Sequence, residues 1–407
     1  MLFGQRRSLA RSMTNWRTEW FEFDDAVYLN SAAEGLMPRV AVQAVEQAVE
    51  AKKFPHRAVI SASAYVGVQN GLRATLATLV GGRPEEVALT TGASAGTATL
   101  AYGIPWKPGD EVLTSTGEFP LQYTTWAPLA EREGVALRAV APTGPFLGAQ
   151  DLIAALTPRT RLVSVSLVRF NDGSMLDAAP LAAACHAQGT LLCLDVSQCC
   201  GAVPLDAAQL GADFLTCAGY KWLLSPYGTG FFWAKAEHLQ TLRPGPFYWM
   251  ATAGADDFSS LEFDDPKPAL AARRWDTPEW AGAFNPNLAG MAAAAAFVER
   301  IGPQVVQAHN RGLVDRLLQG LPRDVVELAS PLDATRRGPF GCFRGHTPAR
   351  TNEIYERLSR ERVVVSLREG NIRVAPYLFN TEHDIDRLLD VVSSMSAVGA
   401  KARDGDS

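Results

Sequence analysis

The chain has 407 residues, a length that suggests two or three domains. Hydrophobic residues make up 47% and charged residues 20% of it, a composition typical of a globular enzyme. Its net charge of −5 and pI of about 5.8 argue against nucleic acid or an anionic membrane as a partner. No run of about 18 apolar residues occurs, and the basic start lacks the apolar core of a secretory signal. The sequence therefore predicts a cytoplasmic protein without a transmembrane helix.

Cysteine and histidine usage gives no sign of a metal centre. The six cysteines form no CxxC pair and lie mostly in apolar runs, which favours buried free thiols in a reducing compartment. The six histidines show no metal-ligand spacing, so we expect no metal site.

From about residue 87 the pattern alternates between strands and helices. Predicted strands cover 86–91, 110–116, 135–141, 160–168, 190–197, 211–219 and 228–234. Predicted helices cover 120–134, 149–158 and 179–189. Strands that alternate with short helices indicate an α/β fold with a mostly parallel central sheet, covered by helices on both faces.

After about residue 235 this alternation stops. Residues 243–268 are rich in Pro, Gly, Asp and aromatic residues and are interpreted as a long functional loop. An alanine-rich helix over 287–302, continued over 304–321, precedes short strands at 340–345, 362–367 and 371–376. A last helix begins after Thr381 as its N-cap. We divide the chain into an N-terminal arm (1–26), a large domain (27–285), a small C-terminal α+β domain (286–397) and a disordered tail (398–407).

The turn "TTGASAG" (Thr90–Gly96) follows a predicted strand and precedes a helix. Small residues let the backbone approach an anion, and the helix N-terminus points at it, while Ser94 adds a hydroxyl group. Taken alone, such turns are more often only structural.

Two ionisable residues follow neighbouring strands. Asp195 ends the apolar run "LLCLD", where a buried carboxylate requires a cation or several hydrogen-bond donors as partners. Taken alone, this pattern favours the interpretation that Asp195 caps a helix or forms an ion pair in the core. Lys221 lies 26 residues later in "CAGYKWLLSPYGTGFFW" (Cys217–Trp233), between two apolar runs. A lysine in a dry pocket has a lowered pKa and reacts with aldehydes, although most lysines lie at the surface.

A fourth candidate is Arg373 in "NIRVAP" (371–376). Its guanidinium group suits a carboxylate; the alternative is an arginine on an edge strand that faces water. The requirements of pyridoxal 5′-phosphate (PLP) chemistry are matched by these features taken in chain order: an anion-binding turn, an aspartate, a lysine and an arginine. The phosphate needs a helix N-terminus, the pyridine nitrogen a carboxylate, the aldehyde a lysine and the amino-acid substrate a guanidinium group.

The chain resembles the class V aminotransferases of the cysteine-desulfurase-like superfamily, PLP enzymes of fold type I. The resemblance runs from "VYLNSAAEGLMP" (27–38) to "IRVAPYLFNTEHDIDRLL" (372–389). It implies PLP as cofactor, a small α-amino acid as substrate and a homodimer with a shared active site, which the loop "FYWMATAGADDF" (247–258) would complete from the neighbouring subunit. It implies no nucleic-acid or membrane partner.

The resemblance also assigns roles to residues. Lys221 is similar to the Schiff-base lysine and Asp195 to the partner of the pyridine nitrogen; both are the expected catalytic residues. The expected cofactor-binding residues are Ala93, Ser94, Phe119, Asp195, Gln198, Tyr220, Lys221, Trp249 and Asn285. The last two are included because "LRPGPFYWM" and "GAFNPN" resemble patterns of the kynureninases. Within this set Ser94 and Tyr220 would hold the phosphate, Phe119 would stack on the ring and Gln198 would contact its hydroxyl oxygen. The expected substrate-binding residues are Asn30, Ser31 and Arg373.

The reaction type stays open at this point. Class V aminotransferase activity is the expected function, with a lyase, a kynureninase-like hydrolase or an epimerase as alternatives and a non-enzymatic PLP-binding module as a further one. "SLREG" (366–370) holds no cysteine where the desulfurases carry their nucleophile. "FPLQ" places Gln122 where kynureninases have an acidic residue, and "VRFNDG" departs from their pattern at Arg169 and Phe170.

Overall fold

The computed structural model describes residues 16–57, 62–244, 248–255, 257, 264–277 and 284–396, with the side chains of 62–65 excepted. The strands are β1 (Val27–Tyr28), β2 (Val87–Thr90), β3 (Glu111–Ser115), β4 (Ala136–Val140), β5 (Thr160–Ser166), β6 (Leu191–Asp195), β7 (Phe214–Ala218), β8 (Gly230–Ala234), β9 (Val326–Leu328), β10 (Gly341–Gly345), β11 (Val363–Val364), β12 (Ser366–Arg368) and β13 (Asn371–Val374). The helices are α1 (Arg39–Lys53), α2 (Ala62–Val80), α3 (Ala93–Gly103), α4 (Leu121–Thr124), α5 (Ala127–Glu133), α6 (Ala149–Ala154), α7 (Ala178–Ala187), α8 (Ala207–Leu210), α9 (Pro286–Ile301), α10 (Pro303–Gly320), α11 (Pro348–Arg360) and α12 (Glu382–Ser393). None of the described helices is long and apolar enough to cross a membrane.

The larger sheet has seven strands among the described residues, in the order β2-β8-β7-β6-β5-β3-β4. Strands β4, β3, β5, β6 and β7 are mutually parallel, and β8 runs antiparallel to both β7 and β2. The inner strands β7 and β8 are buried along their whole length, and β6 is buried apart from its first residue, Leu191, which explains why these strands are continuous apolar runs in the sequence rather than alternating ones. The predicted α/β architecture with a mostly parallel sheet is confirmed.

A second, antiparallel sheet has the order β12-β13-β10-β9. It packs with α10, α11 and α12 around its own apolar core, which includes Ile354, Leu358, Ile372 and Leu388. The short strand β1 pairs with β11 in parallel, so the chain's first strand joins its C-terminal part. The domain boundaries at 26, 285 and 397 stay predictions.

Several local predictions need correction. The helix predicted over 120–134 is two helices, α4 and α5, separated at Thr125 and Trp126. The run 287–321 is broken at Gly302, whose φ of 88° lies in the left-handed region, so α10 starts a new helix. The strand predicted over 362–367 is split between β11 and β12. The expected tail 398–407 lies outside the described residues.

A buried carboxylate secures the edge of the sheet opposite the carboxyl ends of its strands. Asp213, directly before β7, accepts a hydrogen bond from the backbone N–H of Leu192 at 2.7 Å, and its oxygens lie 2.9 Å from His238 Nε2 and 3.0 Å from His186 Nε2. Burial acts to raise the pKa of Asp213, but hydrogen bonds from His238, Leu192 and His186 lower it below its ordinary value of 3.8.

A metal ion would also find ligands here, which the sequence pattern did not predict. Donor atoms of Asp213, Glu237 and His238 lie within 4.8 Å of one another. Lys235 Nζ already lies 2.8 Å from Glu237, so a protein cation balances this group.

We expect Asp213→Asn to lower the free energy of unfolding by about 1–3 kcal/mol at pH 7, because the buried charge-assisted hydrogen bonds are weakened. The folded pKa is depressed, so this contribution is present above the unfolded pKa and is lost as the pH falls through the folded pKa. Urea denaturation at pH 7 and pH 3 measures it. Exposed Asp265→Asn is the control, and equal stability of both variants at pH 7 would contradict the prediction.

Candidate functional site

A cavity of about 140 Å³ lies at the carboxyl ends of β6 and β7, next to the start of α3. Open parallel sheets place their ligand sites at this edge, because the turns after the strands converge there. The lining residues are Thr91, Gly92, Ala93, Ser94, Ala95, Phe119, Leu121, Asp195, Ser197, Ala218, Tyr220 and Lys221. The structure thus brings together six residues that the sequence nominated: Ala93, Ser94, Phe119, Asp195, Tyr220 and Lys221.

Lys221 lies in the turn between β7 and β8, as predicted, and only 8% of it is exposed. Its amine lies 5.4 Å from the ring centre of Phe119 and 5.6 Å from that of Tyr220. Burial lowers the pKa of Lys221. The negative charge of Asp195 acts to raise this pKa, whereas the positive charge of Arg373 lowers it further. A larger fraction of the amine is therefore neutral and nucleophilic than in an exposed lysine.

Asp195 is the last residue of β6 and is 7% exposed. Its Oδ1 accepts a hydrogen bond from the backbone N–H of Ser197 at 2.8 Å, and Ser197 Oγ in turn accepts one from the N–H of Ala218 at 2.9 Å. Within the described ranges Oδ2 accepts no hydrogen bond. The carboxylate is therefore fixed at one oxygen and available at the other.

The turn before α3 has the features of an anion site. Gly92 has a φ of 149°, which side chains rarely allow, and a Cβ there would meet open space on the cavity side. The first N–H groups of the eleven-residue helix α3, beginning at Ala93, have no partner within the helix. Ser94 is exposed beside them. Backbone donors and a hydroxyl group thus converge where a phosphate is expected.

Phe119 is presented by a buried network that the sequence did not reveal. Glu118, beside it, accepts a hydrogen bond from Ser166 Oγ at 2.6 Å and lies 3.7 Å from Arg169. Burial raises the pKa of Glu118, and the Ser166 and Arg169 contacts oppose this. Arg169 also donates to Ser115 Oγ at 2.8 Å. Arg169, where the sequence departs from the kynureninase pattern, therefore holds the loop that carries Phe119.

An aromatic and acidic cluster surrounds Tyr220. The ring of Tyr220 stacks on that of Tyr227 at 4.1 Å, and the Tyr227 hydroxyl hydrogen-bonds to Glu34. Partial burial and the contact with Glu34 raise the pKa of Tyr227 to about 12. Burial, followed by the charges of Glu34 and Asp195, also raises the pKa of Tyr220. Both hydroxyl groups stay protonated near neutral pH and act as hydrogen-bond donors.

Arg373, in the middle strand β13, is 1% exposed, which excludes an arginine on an edge strand that faces water. It donates to the carbonyl of Phe170 at 2.9 Å, and its Nε is buried without a partner among the described residues. Burial lowers the pKa of Arg373 to about 10. Phe170 packs edge-on against Phe119, with ring centres 5.4 Å apart, which links the arginine to the cavity.

Asn30 and Ser31 lie beside Arg373. The N–H of Ser31 donates to Ala375 at 3.1 Å, and its buried Oγ has no partner in the described part of the chain. Asn30 accepts a hydrogen bond from Ser366, which is the cross-strand neighbour of Arg373. The predicted substrate residues therefore form one group, adjacent to the cavity lining rather than within it.

The remaining nominated residues lie apart from the cavity lining. Gln198 donates to the carbonyl of Ala32 at 3.1 Å and accepts from Trp222, which ties it to the N-terminal segment. Asn285 caps α9 by accepting from the N–H of Leu288 at 3.1 Å. Trp249 lies in a short 3₁₀ turn and is 39% exposed. Their cofactor roles stay predictions, and residues 247, 256 and 258 of the loop 247–258 lie outside the described residues.

The pattern offered few signals for the residues that were missed. Glu34 precedes Gly35, which packs so tightly against Lys221 that a Cβ would lie 1.7 Å from the lysine carbonyl oxygen. This long-range contact, which brings Glu34 to Tyr227, has no signal in the local sequence. Glu118, inside "GEFP", is adjacent to the nominated Phe119 and could have been suspected as a buried charge. The arrangement as a whole can bind a planar anionic cofactor, attack an aldehyde and move a proton.

Comparison with known proteins agrees with this geometry. The family model described as Aminotransferase class-V matches residues 27–388. Isopenicillin N epimerase of Streptomyces clavuligerus is 29% identical over 91% of this chain and 95% of its own. A probable cysteine desulfurase of Pyrococcus abyssi is 22% identical over 91% of this chain and 94% of its own.

The fold has close counterparts among solved structures. The cystine C-S lyase C-DES, in complex with its product cysteine persulfide, superimposes with a TM-score of 0.81 at 23% identity, over 91% of this chain and 98% of that one. Another structure of C-DES carries glycine covalently linked to its PLP cofactor. The chain belongs to the aminotransferase class-V family, and it is a PLP-dependent enzyme of fold type I.

Proposed function

We propose that this enzyme acts on a small α-amino acid and transfers its amino group, as an aminotransferase. The observation that carries the proposal is a buried lysine, Lys221, in one cavity with Asp195 and the start of α3, with the buried Arg373 adjacent. Each of these groups would be costly to bury without a ligand of complementary charge. PLP and an amino-acid carboxylate together supply those charges.

The residues fit PLP on structural grounds. Ser94 and the N–H groups at the start of α3 would hold the phosphate, together with the Tyr220 hydroxyl. The available oxygen of Asp195 would pair with the pyridinium N–H, and Phe119 would stack on the ring. When bound, PLP supplies an electron sink for negative charge at the substrate's α-carbon.

The mechanism assigns proton movement to Lys221. Its amine, kept partly neutral by burial, would hold the cofactor at its aldehyde and would also move the proton at the substrate's α-carbon. Arg373 binds the α-carboxylate through its unpartnered donors and fixes which bonds face Lys221. Phe119 and Phe170 pack edge-on and supply an apolar wall beside this region.

Epimerisation is the second candidate, supported by the similarity to isopenicillin N epimerase. Return of the α-proton to the opposite face needs a second donor, and the Tyr220–Tyr227–Glu34 cluster provides protonated hydroxyl groups on the cavity. In a transaminase Tyr220 would serve as a phosphate ligand, so the cluster alone does not select the reaction.

Desulfuration through a protein persulfide is the least supported outcome. That chemistry needs an accessible thiolate. All six cysteines are buried, and burial raises the pKa of Cys342 to about 12. Cys342 lies opposite Arg373 in the sheet rather than in a loop.

Product analysis tests the proposal. The purified holoenzyme is incubated with single L-amino acids, with and without 2-oxoglutarate, and the products are identified by mass spectrometry and chiral chromatography. Formation of the corresponding 2-oxo acid only with the acceptor supports transamination. A D-amino acid supports epimerisation instead, and sustained sulfide from L-cysteine would overturn both.

Lys221 is expected to carry the cofactor. Reduction of the holoenzyme with borohydride should fix one PLP per chain to the peptide that contains Lys221, and Lys221→Ala should abolish this label. Exposed Lys235→Ala is the matched control and should label normally. Labelling of another lysine in the unaltered protein would refute the assignment; peptide mapping by mass spectrometry decides.

Asp195→Ala should retain PLP but lose at least about a hundredfold in the rate of α-proton exchange, equivalent to about 2.7 kcal/mol of barrier. The physical reason is that the pyridine nitrogen loses the carboxylate that keeps it protonated. Deuterium incorporation from D₂O, followed by NMR, measures the rate, with exposed Asp177→Ala as control. Wild-type exchange in Asp195→Ala would assign this role to another group.

Arg373→Lys should raise the KM for amino acids about tenfold or more and leave the visible spectrum of bound PLP unchanged, because an ammonium group cannot form the paired hydrogen bonds of a guanidinium group. Steady-state kinetics measure the effect. Arg344→Lys, an exposed arginine of the same sheet, is the control. An unchanged KM would leave Arg373 as a structural residue only.

We also propose a homodimer whose partner completes the active site. Support comes from residues at the cavity that remain exposed in the single chain: Phe119 is 42% and Tyr227 62% exposed. Light scattering coupled to size exclusion should give twice the chain mass of 43.9 kDa. A fully active monomer at assay concentration would exclude a shared site.

A further inference from the structure

A second arginine lies on the same face of the small sheet as Arg373. In the β12–β13 hairpin Ser366 is paired with Arg373, and Arg368 with Asn371. Directly paired residues point to the same face, and residues two apart on a strand do so as well. Arg368 and Arg373 therefore share one face.

That face is directed at the active site. Asn371 donates to the carbonyl of Asn171 at 2.9 Å, and Arg373 donates to that of Phe170 at 2.9 Å. Ser366 donates to Asn30. Phe170 in turn packs on the cavity residue Phe119, and Asn30 belongs to the group of predicted substrate residues. Arg368 therefore lies on the face of the sheet that carries the predicted substrate anchor Arg373.

The hairpin turn fixes Arg368 in this place. Glu369 and Gly370 form a two-residue turn with φ values of 47° and 76°, which matches the twist of a tight hairpin and sets the register of the strands. Arg368 is the last residue before this turn, at the open end of the sheet.

Arg368 has no anionic partner within the described part of the chain. It is half-buried, and its one hydrogen bond there runs from Nη1 to the carbonyl of Leu367 at 2.9 Å. Burial is the main cause of the lowered pKa values of Lys221 and Arg373. The positive charge of Arg368 lowers both pKa values further. The guanidinium groups of Arg368 and Arg373 therefore both act electrostatically on Lys221, and Arg368 has no carboxylate partner among the described residues.

We propose that Arg368 binds a second anionic group, so that the preferred substrate is an α-amino acid with a carboxylate in its side chain. Arg373 holds the α-carboxylate and Arg368 the distal one. This inference rests on the proposed function, because it takes Arg373 as the substrate anchor. A charge-assisted hydrogen bond to a distal carboxylate is strong enough to discriminate against neutral substrates.

Ligand binding tests the inference without turnover. Isothermal titration of the apoprotein with glutarate, succinate and butyrate should show glutarate or succinate binding about tenfold more tightly than butyrate. Arg368→Gln should reduce this preference to less than about threefold. Arg344→Gln, the exposed arginine of β10, should retain it. Equal binding of mono- and dicarboxylates by the unaltered apoprotein would overturn the proposal.

The holoenzyme supplies the second arm. The kcat/KM values for L-aspartate and L-glutamate should exceed those for L-alanine and L-glutamine. Arg368→Gln should lower kcat/KM about tenfold for L-aspartate and L-glutamate and leave it unchanged for the other two amino acids. An equal loss for all four, or a weaker Kd for PLP in the variant, would show that Arg368 serves the cofactor or the fold and would overturn the inference. If no amino acid reacts, the proposed function fails while the titration still reports on Arg368.

Discussion

The site depends on the close approach of the N-terminal segment to the lysine turn. Gly35 donates its N–H to the carbonyl of Tyr220 at 2.9 Å and packs against Lys221 where no Cβ would fit. A few residues earlier, Leu29 accepts a hydrogen bond from Ala375 at 2.7 Å. One stretch of chain therefore joins the lysine turn of the large sheet to the strand that carries Arg373. This stretch is therefore one of the links that fix the two halves of the site relative to each other, beside the contact of Arg373 with Phe170.

Burial of like charges is the second constraint. Lys221 and Arg373 are both almost fully buried and electrostatically coupled, and the pKa of each is lowered. Such an arrangement lowers the stability of the protein alone, since each cation loses hydration without gaining a full counterion. It favours the binding of anions in return, which is why a phosphate-bearing cofactor and a carboxylate substrate suit this cavity.

A rigid support lies behind these charges. The buried pair of Glu118 and Arg169 ties the turn after β3 to that after β5, and the next residue, Phe170, contacts both Phe119 and Arg373. The cofactor and substrate ends of the site thus share one buried network. Arg169, where the sequence departs from the kynureninase pattern, therefore has a structural role.

The sequence by itself determined the alternating strands and helices of the large sheet, the lysine turn and the residues at the carboxyl ends of β6 and β7. These are local properties, because apolar runs and small-residue turns fix where a strand ends and which type of element comes next in the chain. It also nominated Arg373, but left its burial open. Only the tertiary structure placed Arg373 in a middle strand, packed the face that it shares with Arg368 against Phe170, and brought Glu34 and Tyr227 to Tyr220. Such contacts join residues that are up to about 200 positions apart, for example Arg373 and Phe170, and no local pattern encodes them because packing of the whole chain decides which faces meet.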